Sequence, residues 1–202
     1  MVEGQKVIVP FPRGRGEVAT HVRSTLVLSS LQSLKSHELF DRYAEKVDPE
    51  TRESIVTGVA GVWLPMSLGL RHYRACEEIG LAPRDQVAIG YEVGGRIQGT
   101  MLGILVRTAK NMGATPWLGF EPIVRLWDRV FQGGTGPSVI QLGPKEARVE
   151  LVGLPLLDVP YFRQAFRGTF MAALELFCAK VYVNEIRGTL KGNAVSFRVS
   201  WV

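Results

Sequence analysis

This chain of 202 residues predicts an α+β fold, with a helical subdomain packed on an antiparallel sheet of four or more strands. Three observations carry that expectation. Val195, Phe197, Val199 and Trp201 alternate strictly with Ser196, Arg198 and Ser200, the period of a strand with one buried face. Ahead of that strand, Tyr161 to about Cys178 shows helical spacing, so the chain ends helix-strand-strand. Earlier still, long runs of helical periodicity are punctuated by proline at their starts and glycine at their ends.

Lys6 to Phe11 is a short apolar run broken by Pro10 and Pro12, which suits an edge strand or arm. After the Arg13-Gly14-Arg15-Gly16 tip, Glu17 to Val27 reads as a second strand running into a helix. Leu28, Leu31, Leu34, Leu39, Phe40 and Tyr43 carry helical spacing on to about Lys46. Asp48-Pro49 is an N-cap followed by proline at the first helical position, and it starts a helix through Val56. Pro65 opens the helix Met66 to Ile79, which Gly80 closes, and Pro83 opens a long one from Arg84 to Met112. Thr115-Pro116 caps Trp117 to Phe131, stopped by Gly133-Gly134. Val139 to Leu142 and Ala147 to Val152 are strands around the turn Gly143-Pro144-Lys145. Asp158 with Pro160 starts the final helix, Lys180 to Arg187 is a weaker strand, and Gly188 to Asn193 supplies a turn. With no repeat, linker or low-complexity tract, residues 1–202 read as one domain. Within it, 1–136 is mostly helical after an N-terminal strand pair, and 138–202 is strand-strand-helix-strand-strand.

A hydrophobic share of 46% suits a globular chain rather than a disordered one. No stretch supplies the roughly 18 consecutive apolar residues of a membrane span. The N-terminal apolar run has neither a basic lead-in nor a small-residue cleavage site, so the expected compartment is the cytoplasm. Cys76 and Cys178 sit in apolar helical contexts as reduced packing thiols. His21, His37 and His72 share no ligand-like spacing with one another or with a cysteine, so no metal site is expected. The net charge of +5 is spread along the chain and interleaved with acids, which argues against nucleic acid as a partner.

Two helices carry the candidate site residues. At about 100° per residue, Asp85, Glu92, Arg96 and Arg107 share one sector of the long helix, opposite Val87, Ile97 and Met101. Gly95, Gly99 and Gly103 repeat every four residues beside that polar sector. Each interior glycine costs a helix about 1 kcal/mol relative to alanine, so a close approach by a backbone or a ligand is expected there. The ridge with Arg96 is therefore a candidate ligand wall, dimer seam or internal packing surface. On the final helix Phe162, Phe166 and Phe170 form a core stripe, while Arg163 and Arg167 sit together on the other face and invite an acidic partner. Trp117 stands at the start of its helix, where it is read mainly as core and also as a candidate for a pocket mouth. Gly133-Gly134-Thr135-Gly136 lacks the lysine and flanking elements of a phosphate loop and reads as a turn.

Tyr161-Phe162-Arg163, Phe166-Arg167-Gly168, Ala172-Ala173-Leu174 and Phe197-Arg198-Val199-Ser200-Trp201 resemble a family of similar-length proteins found as many paralogues in myxobacteria. More distantly, the order of helices, sheet, helix and paired strands resembles the heme-NO-binding and four-vinyl-reductase domains, which share a fold with subunits of a Golgi-transport tethering complex. The resemblance implies a hydrophobic cavity between helices and sheet, used for a small ligand or for assembly. It also sets a test, because heme-NO-binding domains carry an axial histidine and a Tyr-x-Ser-x-Arg motif. Tyr43, Tyr73, Tyr91, Tyr161 and Tyr182 are each followed by other residues, and His72 is the one remote axial candidate, expected at the surface. No cofactor is expected.

No Ser/His/Asp or Cys/His arrangement, carboxylate pair or nucleotide fingerprint is present, so the reading leans away from an enzyme. Two expectations remain open. One is a non-catalytic sensory or regulatory domain with a small apolar ligand, and the other is a protein-interaction adaptor or homodimeric scaffold.

Overall fold

The structure, a computed structural model, describes residues 6–14, 17–101, 115–186, 188 and 192–202. Its elements run β1 (Lys6–Val9), β2 (Ala19–Arg23), α1 (Ser24–Ser36), α2 (Phe40–Lys46), α3 (Pro49–Val56), β3 (Trp63–Pro65), α4 (Met66–Glu78) and α5 (Pro83–Met101). They continue with α6 (Pro116–Val130), β4 (Phe131–Gly133), β5 (Gly136–Gly143), β6 (Glu146–Val152), a short 3-10 turn (Pro155–Asp158), α7 (Pro160–Leu174), β7 (Val181–Ile186) and β8 (Ala194–Trp201). The fold is α+β. Its main sheet has five antiparallel strands in the order β1-β5-β6-β8-β7.

The alternation of β8 takes the expected form. Val195, Phe197, Val199 and Trp201 are buried against the helices, and Arg198 is exposed on the opposite face. Ser196 departs from the pattern, being 1% exposed with no partner for its hydroxyl among the described residues. Because β8 lies between β6 and β7, each of its edges is paired: Val149 stands opposite Phe197, and Val183 opposite Val199. Helix α7 lies on the apolar face, where Phe166 stacks on Phe197 with 6.2 Å between ring centroids.

The front half differs from the sequence expectation in two places. The helix expected from Leu28 to Lys46 is two helices, because Glu38 takes a positive φ of 58°. The Leu39 amide donates to the Leu34 carbonyl and the Glu38 amide to the Lys35 carbonyl, the paired bonds of a left-handed helix stop. That stop ordinarily uses glycine, and here the sequence offers glutamate. The second difference is a three-stranded antiparallel sheet, β3-β2-β4, in which Val22 faces both Leu64 and Phe131. Its outer strands are three residues long, too short to show a period. The chain expected to remain helical through Phe131 turns into β4 at that residue, and α7 ends at Leu174 rather than Cys178.

Helices α5 and α7 cross at near backbone contact. A Cβ on Gly90 would fall 1.8 Å from the Ala165 carbonyl oxygen, and one on Gly168 would fall 2.0 Å from the Val87 carbonyl oxygen. Gly94 faces Thr169 and Ala172 in the same way. The tight crossing therefore uses Gly90, Gly94 and Gly168. Gly95 lies on the outer side with nothing within reach of a Cβ. Of the remaining ridge positions, Gly99 is helical and Gly103 falls outside the described residues.

Candidate functional site: an apolar cavity between helices and sheet

A cavity of about 100 Å³ opens where α5, α6 and α7 pass over the main sheet. Phe120, Val124 and Trp127 of α6 form one wall, and Phe166, Phe170 and Ala173 of α7 the facing one. Val139 of β5 with Val149 and Leu151 of β6 makes the floor, and Leu26 of α1 and Ile97 of α5 also line the cavity. Each element delivers these side chains by its own period. Phe120, Val124 and Trp127 follow helical i, i+4, i+7 spacing, and Val149 and Leu151 follow strand i, i+2 spacing.

Among the described residues, Thr169 is the lining residue that carries a side-chain hydroxyl. Its one proton is shared between the Gly90 carbonyl at 2.9 Å and the Ala165 carbonyl at 3.2 Å. The indole N–H of Trp127 donates to the Gly133 carbonyl at 3.2 Å. Among the described residues no charged side chain lines the cavity.

A second constellation lies behind α4, and it is polar. His72, expected at the surface, is completely buried. Its Nδ1 lies 2.9 Å from the Tyr43 hydroxyl and its Nε2 lies 3.0 Å from the Ser30 hydroxyl. A neutral imidazole offers one donor and one acceptor, and each hydroxyl can supply the complement. Burial pushes the His72 pKa down to about 3. The same burial raises the Cys76 thiol and the Tyr73 and Tyr161 phenols. Every member of the cluster is thereby held neutral at physiological pH. The rings continue edge to face from Tyr43 through His72 and Tyr73 to Phe162, so the cluster ties α2, α4 and α7 together.

Of the candidate positions, Gly95, Arg96, Trp117, Arg163 and Arg167 do not line the cavity. Arg96 reaches across to α1, donating to the Ser29 carbonyl at 3.3 Å and to the hydroxyls of Ser33 and Ser36 at 3.1 and 3.0 Å. Glu92 lies 3.7 Å from it. Trp117 donates its indole N–H to the Pro144 carbonyl at 2.8 Å and packs edge to face on Trp201; Phe120, three residues on, lines the cavity where Trp117 does not. Arg163 donates to the Leu157 carbonyl and lies 3.4 Å from Glu185. Arg167 donates to the Val183 carbonyl and to Gln164. Both arginines therefore fasten α7 to neighbouring backbone and to β7. Sequence reasoning missed Val124, Val139, Val149 and Leu151 as cavity residues, because a period identifies a buried face but not a gap within it.

The domain thus sets an apolar hollow between its helices and its main sheet, and small-molecule sites are commonly concave and apolar. Solved structures with a similar fold include H-NOX proteins. The chain matches an unliganded Fe(II) H-NOX point mutant from K. algicida with a TM-score of 0.60 and 12% identity, covering 89% of this chain and 96% of that one. A protein solved in a study of heme distortion in the H-NOX family gives a TM-score of 0.56 at 14% identity, covering 89% and 94%. Another, from work on heme redox potential and protein-induced porphyrin distortion, gives 0.55 at 14% identity, covering 89% and 99%. At these identities the likeness is one of fold. No protein-family model and no curated protein matches the chain.

The residues around this cavity do not fit a heme. Sites for drug-sized ligands run to about 300–1,000 Å³, several times the space available here. None of the three histidines in the sequence lines it. His21 sits on β2 beside Thr20, and His37 lies 2.7 Å from Glu92. His72 has both ring nitrogens engaged by hydroxyls, and no side chain lining the cavity is a cysteine, histidine or tyrosine.

Proposed function

We propose that this chain is a non-catalytic sensory domain that holds a small apolar molecule, without heme, between α6, α7 and the main sheet. The supporting observation is the cavity itself. It is lined by aromatic and aliphatic side chains and lies within a fold whose solved examples include heme-binding sensors. In this reading residues 1–202 act as one domain. Arg96, Arg163 and Arg167 hold the walls, with Arg96 joining α5 to α1 and the other two joining α7 to the turn before it and to β7. Trp117 holds the start of α6 against the β5–β6 turn.

Native mass spectrometry and absorbance of protein purified from cells supplied with heme precursor test the reading. The expected result is a small apolar molecule retained at one per chain, with no Soret band. A tight dimer carrying nothing would favour the adaptor or scaffold function, and stoichiometric heme would overturn the heme-free site.

A further inference from the structure

The hydrogen-bond inventory of the cavity narrows what it can hold. Each polar group that reaches it among the described residues already has a partner inside the protein. The Thr169 proton goes to the carbonyls of Gly90 and Ala165, and the Trp127 N–H goes to that of Gly133. Pro137, which also lines the cavity, has no backbone N–H to give. What remains is the acceptor capacity of the Thr169 oxygen. A guest bearing a carbonyl or carboxylate would therefore leave its own acceptors unpaired in an apolar surrounding, which is strongly unfavourable. Among the described residues no lining cation offsets a negative charge either.

Size narrows the class further. A cavity of about 100 Å³ approaches the order of 150 Å³ at which an aliphatic and aromatic hollow stays dry and accepts benzene. Phe120, Trp127, Phe166 and Phe170 all line this one, and aromatic rings favour edge-to-face or offset partners. Resting on the reading of this cavity as a ligand site, we infer that its guest is a neutral hydrocarbon of about one aromatic ring. A fatty acid, a quinone or any other acceptor-bearing molecule does not suit it.

Isothermal titration of the full chain with benzene, toluene and benzoate tests this. Native mass spectrometry of the same preparation reports anything already bound. The expected result is saturable one-to-one binding of benzene or toluene at about millimolar affinity or tighter, with benzoate at least roughly 100-fold weaker. Filling the hollow by Ala173→Leu should abolish the hydrocarbon signal while circular dichroism stays native. Val124→Phe serves the same purpose if the first variant fails to fold. Benzoate binding as tightly as benzene would overturn the hydrocarbon inference and leave the ligand-site reading standing. A larger acceptor-bearing molecule retained in the mass spectrum would do the same. Absence of any binding, with nothing retained, would overturn both.

Discussion

A single side chain shows how burial sets chemistry here. His72 is enclosed by Tyr43, Ser30, Tyr73 and Cys76, and desolvation alone pushes its pKa from 6.5 to about 3. In the unfolded chain the ring gains a proton below about pH 6.5, whereas the folded chain accepts one only near pH 3. Its contribution to stability is therefore whole above pH 6.5 and is lost as the pH falls between those values. The folding constant should drop by up to about tenfold per pH unit from this group. His72→Gln should lower stability at pH 7 and flatten that acid limb in urea titrations at pH 4–7. An unchanged slope would show that carboxylates, rather than the imidazole, govern acid unfolding. Asp48 acts in the same pH direction at the surface: the Thr51 amide it caps holds its carboxyl below the usual value, and that contribution also fades as pH falls. The Asp48-Pro49 cap was legible in the sequence because its chemistry is local. The burial of His72 was not, since it depends on α1 and α2 folding over α4.

At the scale of elements, the crossing of α5 and α7 decides which glycines matter. Gly95 and Gly168 make a controlled pair. Alanine at Gly95 meets nothing and should stabilise the helix by about 0.5–1 kcal/mol. Alanine at Gly168 drives a methyl group into the Val87 carbonyl and should cost about 3 kcal/mol as the helices are forced apart. Chemical denaturation of the two variants reads both values, and equal effects would mean the crossing is looser than its geometry implies. The sequence advertised close approach by glycine on α5, and the described crossing with α7 uses Gly90 and Gly94, whereas Gly95 of the four-residue repeat lies outside it. Gly90 and Gly94 are set apart from their neighbours only by what α7 brings against them. The break at Glu38 was hidden for a related reason, since a left-handed stop built on glutamate carries no compositional mark. The alternation of β8 was readable at every position but Ser196, because one face of the strand is buried by a single layer of helices.

For the molecule as a whole, fold was far more legible than site. Period and punctuation reveal helices and strands, but a cavity is the space left where Phe120, Val149 and Phe170 fail to meet, and no linear pattern records that. Among the described residues no helix is long and apolar enough to cross a membrane, and no cluster of candidate ligands could hold a metal ion. The two sheets carry one further consequence, for the order of assembly. Lys6 pairs with Gln141, and Val22 with Phe131, so each sheet joins the first strands of the chain to segments near its middle or beyond. Closing such long loops is entropically costly before any contact rewards it, and non-local pairing slows folding. Local helices such as α4, formed within microseconds, should precede both sheets, and stopped-flow refolding should show burst-phase helical signal followed by Trp127 burial on a scale of milliseconds to seconds. The cavity, walled by α6 and floored by β5 and β6, would then be among the last features to exist, and the guest proposed for it would have its opportunity to enter while the walls are still closing.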